Sequence, residues 1–312
     1  MQNETGSSYP IHPIFQKAVR PFTRWYGSRP NQFEKYHNKL GPRVNSTYLR
    51  YAEYCRNQHA CPRDDDGVRS QGSILVPEVL QTSVADELSR KMGSLIENDE
   101  NSVSANTSQL MRSVHRPASK LGTSVLDIFH NPILDGGIRE FFGSNYRIQW
   151  MDCYRSLPTK DVSHAWLWHS DNVPCETLKV MLHLTDAGEH RGATQFMSLG
   201  DTEAYYRAGY RGSRSSRREN LDQFAQQHSL PHRPFHHDAK AGDVMLFLNN
   251  ALHKAVPPQT SFRDVLTYLL LPNPIPWDKQ LACDGLESIE FNPGGYPQSP
   301  FPEQAINVNR AA

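Results

Sequence analysis

The sequence predicts a mainly β protein with flanking α-helices, its core built from antiparallel strands in a sandwich or barrel. Three observations carry that expectation. From Tyr146 onward, the runs 146–156, 165–171, 177–185, 192–197, 242–249 and 262–271 are short and rich in β-branched or aromatic residues. Turn residues separate them, and most intervals are too short for the helical crossover that parallel strands require. Helical periodicity, by contrast, is confined to the stretch before Tyr146.

In chain order, residues 1–71 mix aromatic, basic and proline residues (Phe22, Trp25, Tyr26, Tyr48, Tyr51, Tyr54) without a clean period. They read as an N-terminal arm with short helices packed on the body. Residues 72–144 read as a helical flank. It opens with the short strand Ser73-Ile-Leu-Val, stopped by Pro77. A helix then starts at Ser83, with Asp86 three residues on in capping-box spacing, and Val84, Leu88, Met92 and Leu95 give it one apolar face. Asn98 to Ser108 is polar and reads as a loop. Ile133 to Phe142 forms a second helix closed by Gly143. The core spans 145–272 and is interrupted by a lid-like insertion at 198–241; residues 273–312 are a C-terminal tail. The whole chain, 1–312, reads as one domain.

Composition narrows the function. Lys plus Arg and Asp plus Glu number 33 each, so the formal net charge is zero, which disfavours a broad nucleic-acid footprint. Five cysteines without a CxxC pair argue against a disulfide scaffold and suit a reducing, cytoplasmic setting. The opening residues carry no secretory signal pattern, and no apolar run is long enough to span a bilayer, so no membrane partner is expected. Fourteen histidines hint at metal chemistry.

That hint acquires an address at Trp168-His169-Ser170-Asp171. In a strand, residues i and i+2 share a face, so His169 and Asp171 point the same way. An imidazole and a carboxylate so placed supply two members of a facial triad, which leaves three positions of an octahedral iron open. Downstream, Gly242-Asp243-Val-Met-Leu-Phe-Leu leads toward His253, Pro257-Pro258 turns the chain, and Phe262-Arg263-Asp264-Val-Leu-Thr-Tyr-Leu-Leu-Leu reads as a further strand. A hairpin about the prolines sets His253 roughly opposite Arg263. A guanidinium beside a metal-binding histidine suits a carboxylate such as the far end of 2-oxoglutarate.

The chain here resembles the phytanoyl-CoA dioxygenase family of 2-oxoglutarate oxygenases. The resemblance lies in His169-Ser-Asp171, the strand Leu178-Lys-Val-Met-Leu-His-Leu-Thr-Asp186, Gly192-Ala193, and His253 followed by Arg263, over roughly residues 72–272. It implies a double-stranded β-helix (cupin-like jelly roll) core, and Fe(II), 2-oxoglutarate and O2 as cofactor and cosubstrates. His169, Asp171 and His253 would be the metal ligands at the catalytic centre, and Arg263 the cosubstrate anchor. Asp171 also speaks against halogenation, since halogenating relatives carry a small residue at that ligand position. One departure stands out: the family's Pro-Gly-Ser-His after the Gly-Ala strand is Phe196-Met-Ser-Leu-Gly-Asp-Thr202 in this chain.

Strand 177–185 has two unlike faces. Leu178, Val180, Leu182 and Leu184 form an apolar face for the helices; Lys179, Met181, His183 and Thr185 form a face toward the barrel interior. Lys179 and His183 are therefore candidates for 2-oxoglutarate contact, as is Thr267, which shares the parity of Arg263. Arg155 and Trp166 are candidates for substrate contact. His228, His232, His236 and His237 lack zinc-site spacing, and the basic run Arg211, Arg214, Arg217, Arg218 reads as solvated. The expected activity is hydroxylation of an unactivated C–H bond in a small-molecule substrate. Two other readings stay open: a cupin-type metalloenzyme that does not use 2-oxoglutarate, and a non-enzymatic β-barrel binding module.

Overall fold

The computed structural model describes residues 42–63, 67–98, 103–105, 110–160, 162, 164–171, 173–212, 216–290, 295–297 and 299–301. The expectations for Phe22, Trp25 and Tyr26 in the arm, for the extreme C-terminus and for Arg214 fall outside those residues.

Among the described residues, ten strands form two antiparallel sheets, with helices on the outside of the larger one. In chain order the strands are β1 (Ser73–Val76), β2 (Val103–Ala105), β3 (Met111–Val114), β4 (Asn145–Ser156), β5 (Leu178–His183), β6 (Gln195–Phe196), β7 (Phe235–His236), β8 (Val244–Phe247), β9 (His253–Lys254) and β10 (Arg263–Asn273). The major sheet runs β1-β8-β5-β10-β4-β3-β2 and the minor sheet β7-β6-β9. From β5 on, the chain crosses repeatedly between them, so strands distant in sequence are neighbours in space. The two sheets meet over an apolar cluster of Met181, Met245, Phe247 and Val265 from the major sheet and Phe196 from the minor one.

The helices are α1 (Pro42–Gln58), α2 (Val68–Gln71), α3 (Thr82–Asn98), α4 (Pro117–Leu121), α5 (Pro132–Phe142), α6 (Leu199–Arg207), α7 (Asp222–His228) and α8 (Trp277–Asp284). Helix α3 forms because its apolar residues recur at helical spacing. It buries Ala85, Leu88, Ser89, Met92, Gly93 and Ile96, with Val84 and Leu95 packed at the edge of the same core. Each such Leu or Met contributes about 1.5–3 kcal/mol of burial. Helix α5 is capped by the Asn131 side chain, which accepts from the backbone N–H groups of Ile133 and Leu134, and it ends at Gly143 with φ 65°. Both helices cover the outer face of the major sheet, where they meet Leu178, Val180, Leu182, Leu266, Tyr268 and Leu270.

Three segments differ from expectation. Among the described residues, the arm holds the 17-residue helix α1 and the short α2; Tyr48 of α1 packs with Leu271 and Cys175 and donates to the Pro297 carbonyl at 2.7 Å. The stretch expected as a polar loop contains β2, which pairs with β3 at the sheet edge. The segment 165–171 is not a continuous strand: His164–Trp166 is a 3-10 turn, followed by single bridges at Trp168 and His169.

Two polar clusters tie the shell to the site. Glu176, only 5% exposed, sits in the connector after the His169 segment and is approached by Arg56 (3.6 Å), Arg63 (3.8 Å) and Arg69 (3.3 Å). It thereby fastens α1 and α2 to that connector. On the outer face of the major sheet, Arg155 grips Asp264 through Nε–Oδ1 (2.8 Å) and Nη2–Oδ2 (2.7 Å), while the Ser89 hydroxyl of α3 donates to Oδ2 at 2.7 Å. Asp264 is fully buried and its carboxyl is pushed up by that burial. Arg155, expected as a substrate contact, therefore stands on the opposite side of the sheet from the interior. The reason is parity: it shares a face with Met151 and Cys153, which lie in the helix-facing core. Replacing Arg155 by Met should destabilise the fold by about 3–5 kcal/mol, because a buried carboxylate loses its counter-ion. Chemical denaturation checks this; an unchanged midpoint would show that the pair contributes nothing.

Candidate metal centre

His169 and His253 are direct cross-strand partners. The N–H of each donates to the carbonyl of the other at 2.9 Å, forming an antiparallel hydrogen-bonded pair. Side chains of such a pair leave the sheet on the same side. Their ring centroids are 4.4 Å apart. Asp171, two residues after His169, is held by its N–H to the Asn249 carbonyl at 2.9 Å. Its Oδ1 lies 3.4 Å from His169 Nε2 and 3.7 Å from His253 Nε2. Ligand atoms about 2.1 Å from one ion at right angles stand roughly 3 Å from each other, so these three need close only slightly around a cation. Among the described residues this is the one group of histidine, cysteine or acidic side chains with such convergence.

The backbone decides which nitrogen faces the centre. Nδ1 of His169 meets the Leu167 carbonyl at 2.7 Å, and Nδ1 of His253 meets the Ala251 carbonyl at 2.8 Å. A carbonyl only accepts, so Nδ1 carries the proton in both rings and the Nε2 lone pairs point toward Asp171. Burial, reinforced by the neighbouring His169, pushes the His253 imidazole down to about 3, which keeps it neutral. Burial pushes the Asp171 carboxyl up, yet the charges around it, the Lys179 ammonium foremost, outweigh that and hold it well below the usual carboxylate range. Two neutral imidazoles and one carboxylate are the donor set of a mononuclear iron site.

The lid-like insertion at 198–241 packs against the residues next to the two histidines, Trp168 and Leu252. Helices α6 and α7 enclose an apolar cluster of Trp168, Met197, Tyr205, Tyr210, Leu221, Phe224, Ala225 and Leu252. Tyr210 donates its hydroxyl to the Trp168 carbonyl at 2.8 Å, and the backbone N–H of Trp168 donates to the Arg218 carbonyl at the same distance. Gly212, at φ 57°, passes so close that a Cβ there would stand 2.6 Å from the Cα of His169. Two of the insertion's histidines bond within it, His232 to Tyr205 (2.8 Å) and Asp222 (3.0 Å) and His236 to Asp238 (3.3 Å), while His237 reaches Ser73 of β1 (3.0 Å).

Inside the sheets, the register sets the remaining candidates in rows. Arg263 lies opposite Ser156; Val265 is flanked by Tyr154 and His183; Thr267 by Asp152 and Met181; Leu269 by Trp150 and Lys179. Lys179, His183, Arg263 and Thr267 thus share the inner face that parity indicated. The postulated hairpin is different, however. His253 pairs with Phe196 and His169 in the minor sheet, whereas Arg263 opens a strand of the major sheet, so residues 255–262 cross between the sheets.

Arg263 is 0% exposed. One Nη donates to the Gly192 carbonyl, while Nε and the other Nη are buried without a partner in the protein. A buried guanidinium with open donors is costly unless an anion completes it, which is the opening a carboxylate fills. The Thr194 hydroxyl, two residues beyond Gly192, is likewise buried and unpartnered. Burial, the Arg263 charge and His237 push the His183 imidazole down to about 3, leaving a neutral ring with an unpartnered Nδ1. Lys179 is placed differently from its expected neighbour: its Nζ lies 2.9 Å from Asp171 Oδ2. Trp166 is buried in the 3-10 turn before His169, its indole nitrogen unpartnered.

Sequence reasoning passed over Asp152, Tyr154 and Thr194. The first two share the inner face of β4, the parity opposite to Arg155. Burial raises the Tyr154 phenol, and it raises Asp152 to about 6 against the pull of the Cys153 N–H and Lys179.

Fold and site together define a non-haem metalloenzyme scaffold with a two-histidine, one-carboxylate centre. The chain belongs to the phytanoyl-CoA dioxygenase (PhyH) family, whose profile matches residues 68–264. That family's cofactors are iron(II) and 2-oxoglutarate, and the triad and the open guanidinium fit both. No curated protein sequence matches the chain. Among solved structures, the chain is similar to the non-haem alpha-ketoglutarate-dependent carbocyclase SnoK from nogalamycin biosynthesis, at 18% identity, over 78% of this chain and 96% of that one, with a TM-score of 0.50. It is also similar to the epimerase SnoN of the same biosynthesis (16% identity, 72% and 83% covered, TM-score 0.49). A third is EctD from S. alaskensis with 2-oxoglutarate and 5-hydroxyectoine (15%, 68% and 82%, 0.47). At 18% identity the likeness to the carbocyclase concerns the fold.

Among the described residues no helix is long and apolar enough to cross a membrane.

Proposed function

We propose that the chain is an Fe(II)- and 2-oxoglutarate-dependent oxygenase that hydroxylates a C–H bond of a small-molecule substrate. One observation carries this reading. Two imidazole lone pairs and one carboxylate oxygen converge, and a buried guanidinium with open donors lies on the inner face of the major sheet, the face that also carries the Lys179 bonded to Asp171.

In this reading His169, Asp171 and His253 hold the iron, and Arg263 grips the far carboxylate of 2-oxoglutarate through the donors that no protein group occupies. Thr194, Thr267 and the neutral His183 line that end of the cavity. The chain's repeated crossings between the two sheets, from β5 to β6, β7 to β8, β8 to β9 and β9 to β10, support a double-stranded β-helix. Residues 145–272 form its core within one oxygenase domain, and the 198–241 insertion stiffens the wall that carries the ligands. When bound, iron and 2-oxoglutarate supply the oxidising power to activate O2. The protein fixes the ligands' tautomers, neutralises the cosubstrate's far charge and keeps bulk water from the inner face.

The test is succinate release by purified protein supplied with Fe(II), 2-oxoglutarate and O2, first alone and then with a panel of small-molecule substrates. Iron-dependent succinate that a chelator abolishes is the expected result. Metal binding without 2-oxoglutarate consumption would favour a cupin-type metalloenzyme, and no metal binding a simple binding module.

A further inference from the structure

We infer that Lys179 is a positioning residue that keeps the Asp171 carboxylate on the metal through a single oxygen. The inference rests on the iron site proposed above.

The two oxygens of Asp171 have different surroundings. Oδ1 faces both imidazole Nε2 atoms, at 3.4 and 3.7 Å. Oδ2 accepts a charge-assisted bond from Lys179 Nζ at 2.9 Å. The ammonium is held there by its surroundings: it stands 5.8 Å from the centre of the Trp150 ring and 5.5 Å from that of Phe247. Its side chain is 17% exposed and that of Asp171 21% exposed, so solvent does little to loosen the pair.

A carboxylate ligand can give a cation one oxygen or two. With Oδ2 tied to an ammonium, only Oδ1 is available, and three positions of an octahedral ion stay open. The ammonium also draws charge from the carboxylate and repels a dication placed beside it. Lys179 therefore weakens metal binding while reserving a coordination position. A residue that merely supported the fold would act in the opposite direction, since its loss would disorder Asp171 and loosen the metal.

The sign of the effect is the test. Co(II) serves as the probe, because its visible absorption weakens as coordination number rises. In Lys179→Met, Co(II) should bind about tenfold more tightly, within the range over which outer-shell partners change metal affinity. Its visible band should weaken as Oδ2 joins the metal, and 2-oxoglutarate should bind the Co(II) form less well. Lys179→Arg, which keeps the charge, should restore wild-type Co(II) affinity. If Lys179→Met does not fold, Lys179→Leu makes the same neutral change, likewise without a donor, and the same tightening is expected. Equal or weaker Co(II) binding in the folded neutral variant overturns the inference. Asp171→Asn separates the two readings. If that variant binds Co(II) as wild type does, the iron site itself is wrong; if it loses the metal while the Lys179 variants bind as wild type, only the role of Lys179 falls.

Discussion

Replacing Asp171 by Asn abolishes iron-dependent succinate formation and weakens divalent metal binding by more than about 100-fold, the most that loss of an outer-shell partner alone produces. The substitution keeps the size of the side chain and removes its charge. Two neutral imidazoles, each with Nδ1 tied to a backbone carbonyl, are then all that remains to hold a dication. Asp171 is also the partner of Lys179, so the variant leaves an ammonium facing the empty ligand position. Both effects act against the metal, and they act locally. The backbone of Asp171 stays fastened to Asn249, and its side chain lies outside the apolar clusters, so the fold should persist. Metal titration with circular dichroism on the same sample checks this. Near-normal metal affinity in a folded variant would remove Asp171 from the ligand set.

Arg263→Leu has the second largest expected effect, and a different signature. A buried, charge-assisted contact to a carboxylate is worth about 2–5 kcal/mol, so the KM for 2-oxoglutarate should rise roughly 30-fold to several-thousand-fold. Metal affinity should stay within a fewfold of wild type, because Arg263 bonds the Gly192 carbonyl and not a ligand of the triad. Leucine also fits the buried environment without leaving an unpaired charge, so folding should not suffer for want of a counter-ion. Initial rates against 2-oxoglutarate concentration, paired with a metal titration, give the split. An unchanged KM would mean that the cosubstrate's far carboxylate is bound elsewhere.

The parts of the site that were legible in the sequence are those set by local geometry. His169 and Asp171 are two residues apart, and β-strand parity alone puts them on one side. Parity likewise sorted β5, because Lys179 and His183 alternate with Leu178, Val180 and Leu182. The same argument was unavailable on β4. Both faces of that strand are covered, and its outer face carries the polar Arg155, so polarity did not mark the interior and Tyr154 and Asp152 went unnoticed. Strands β6, β7 and β9 have two residues each, too few to show any period. Helices α6 and α7, of nine and seven residues, are too short to stand alone and persist by packing on Trp168 and its neighbours. A propensity reading of 198–241 therefore sees only a long loop.

By itself the sequence determined the chemistry on offer: two histidines, an aspartate and an arginine in a set order, alternating strands to display them, and helices to cover one face. Those are properties of neighbours along the chain. Tertiary structure alone decided that His253 meets His169 and not Arg263, that Arg155 braces the back of the sheet, and that Lys179 bonds the metal-facing carboxylate. Each of these depends on which distant strand lies alongside which, and in what register. That choice is made by burying apolar faces across the whole molecule, a global condition that no short stretch of residues records.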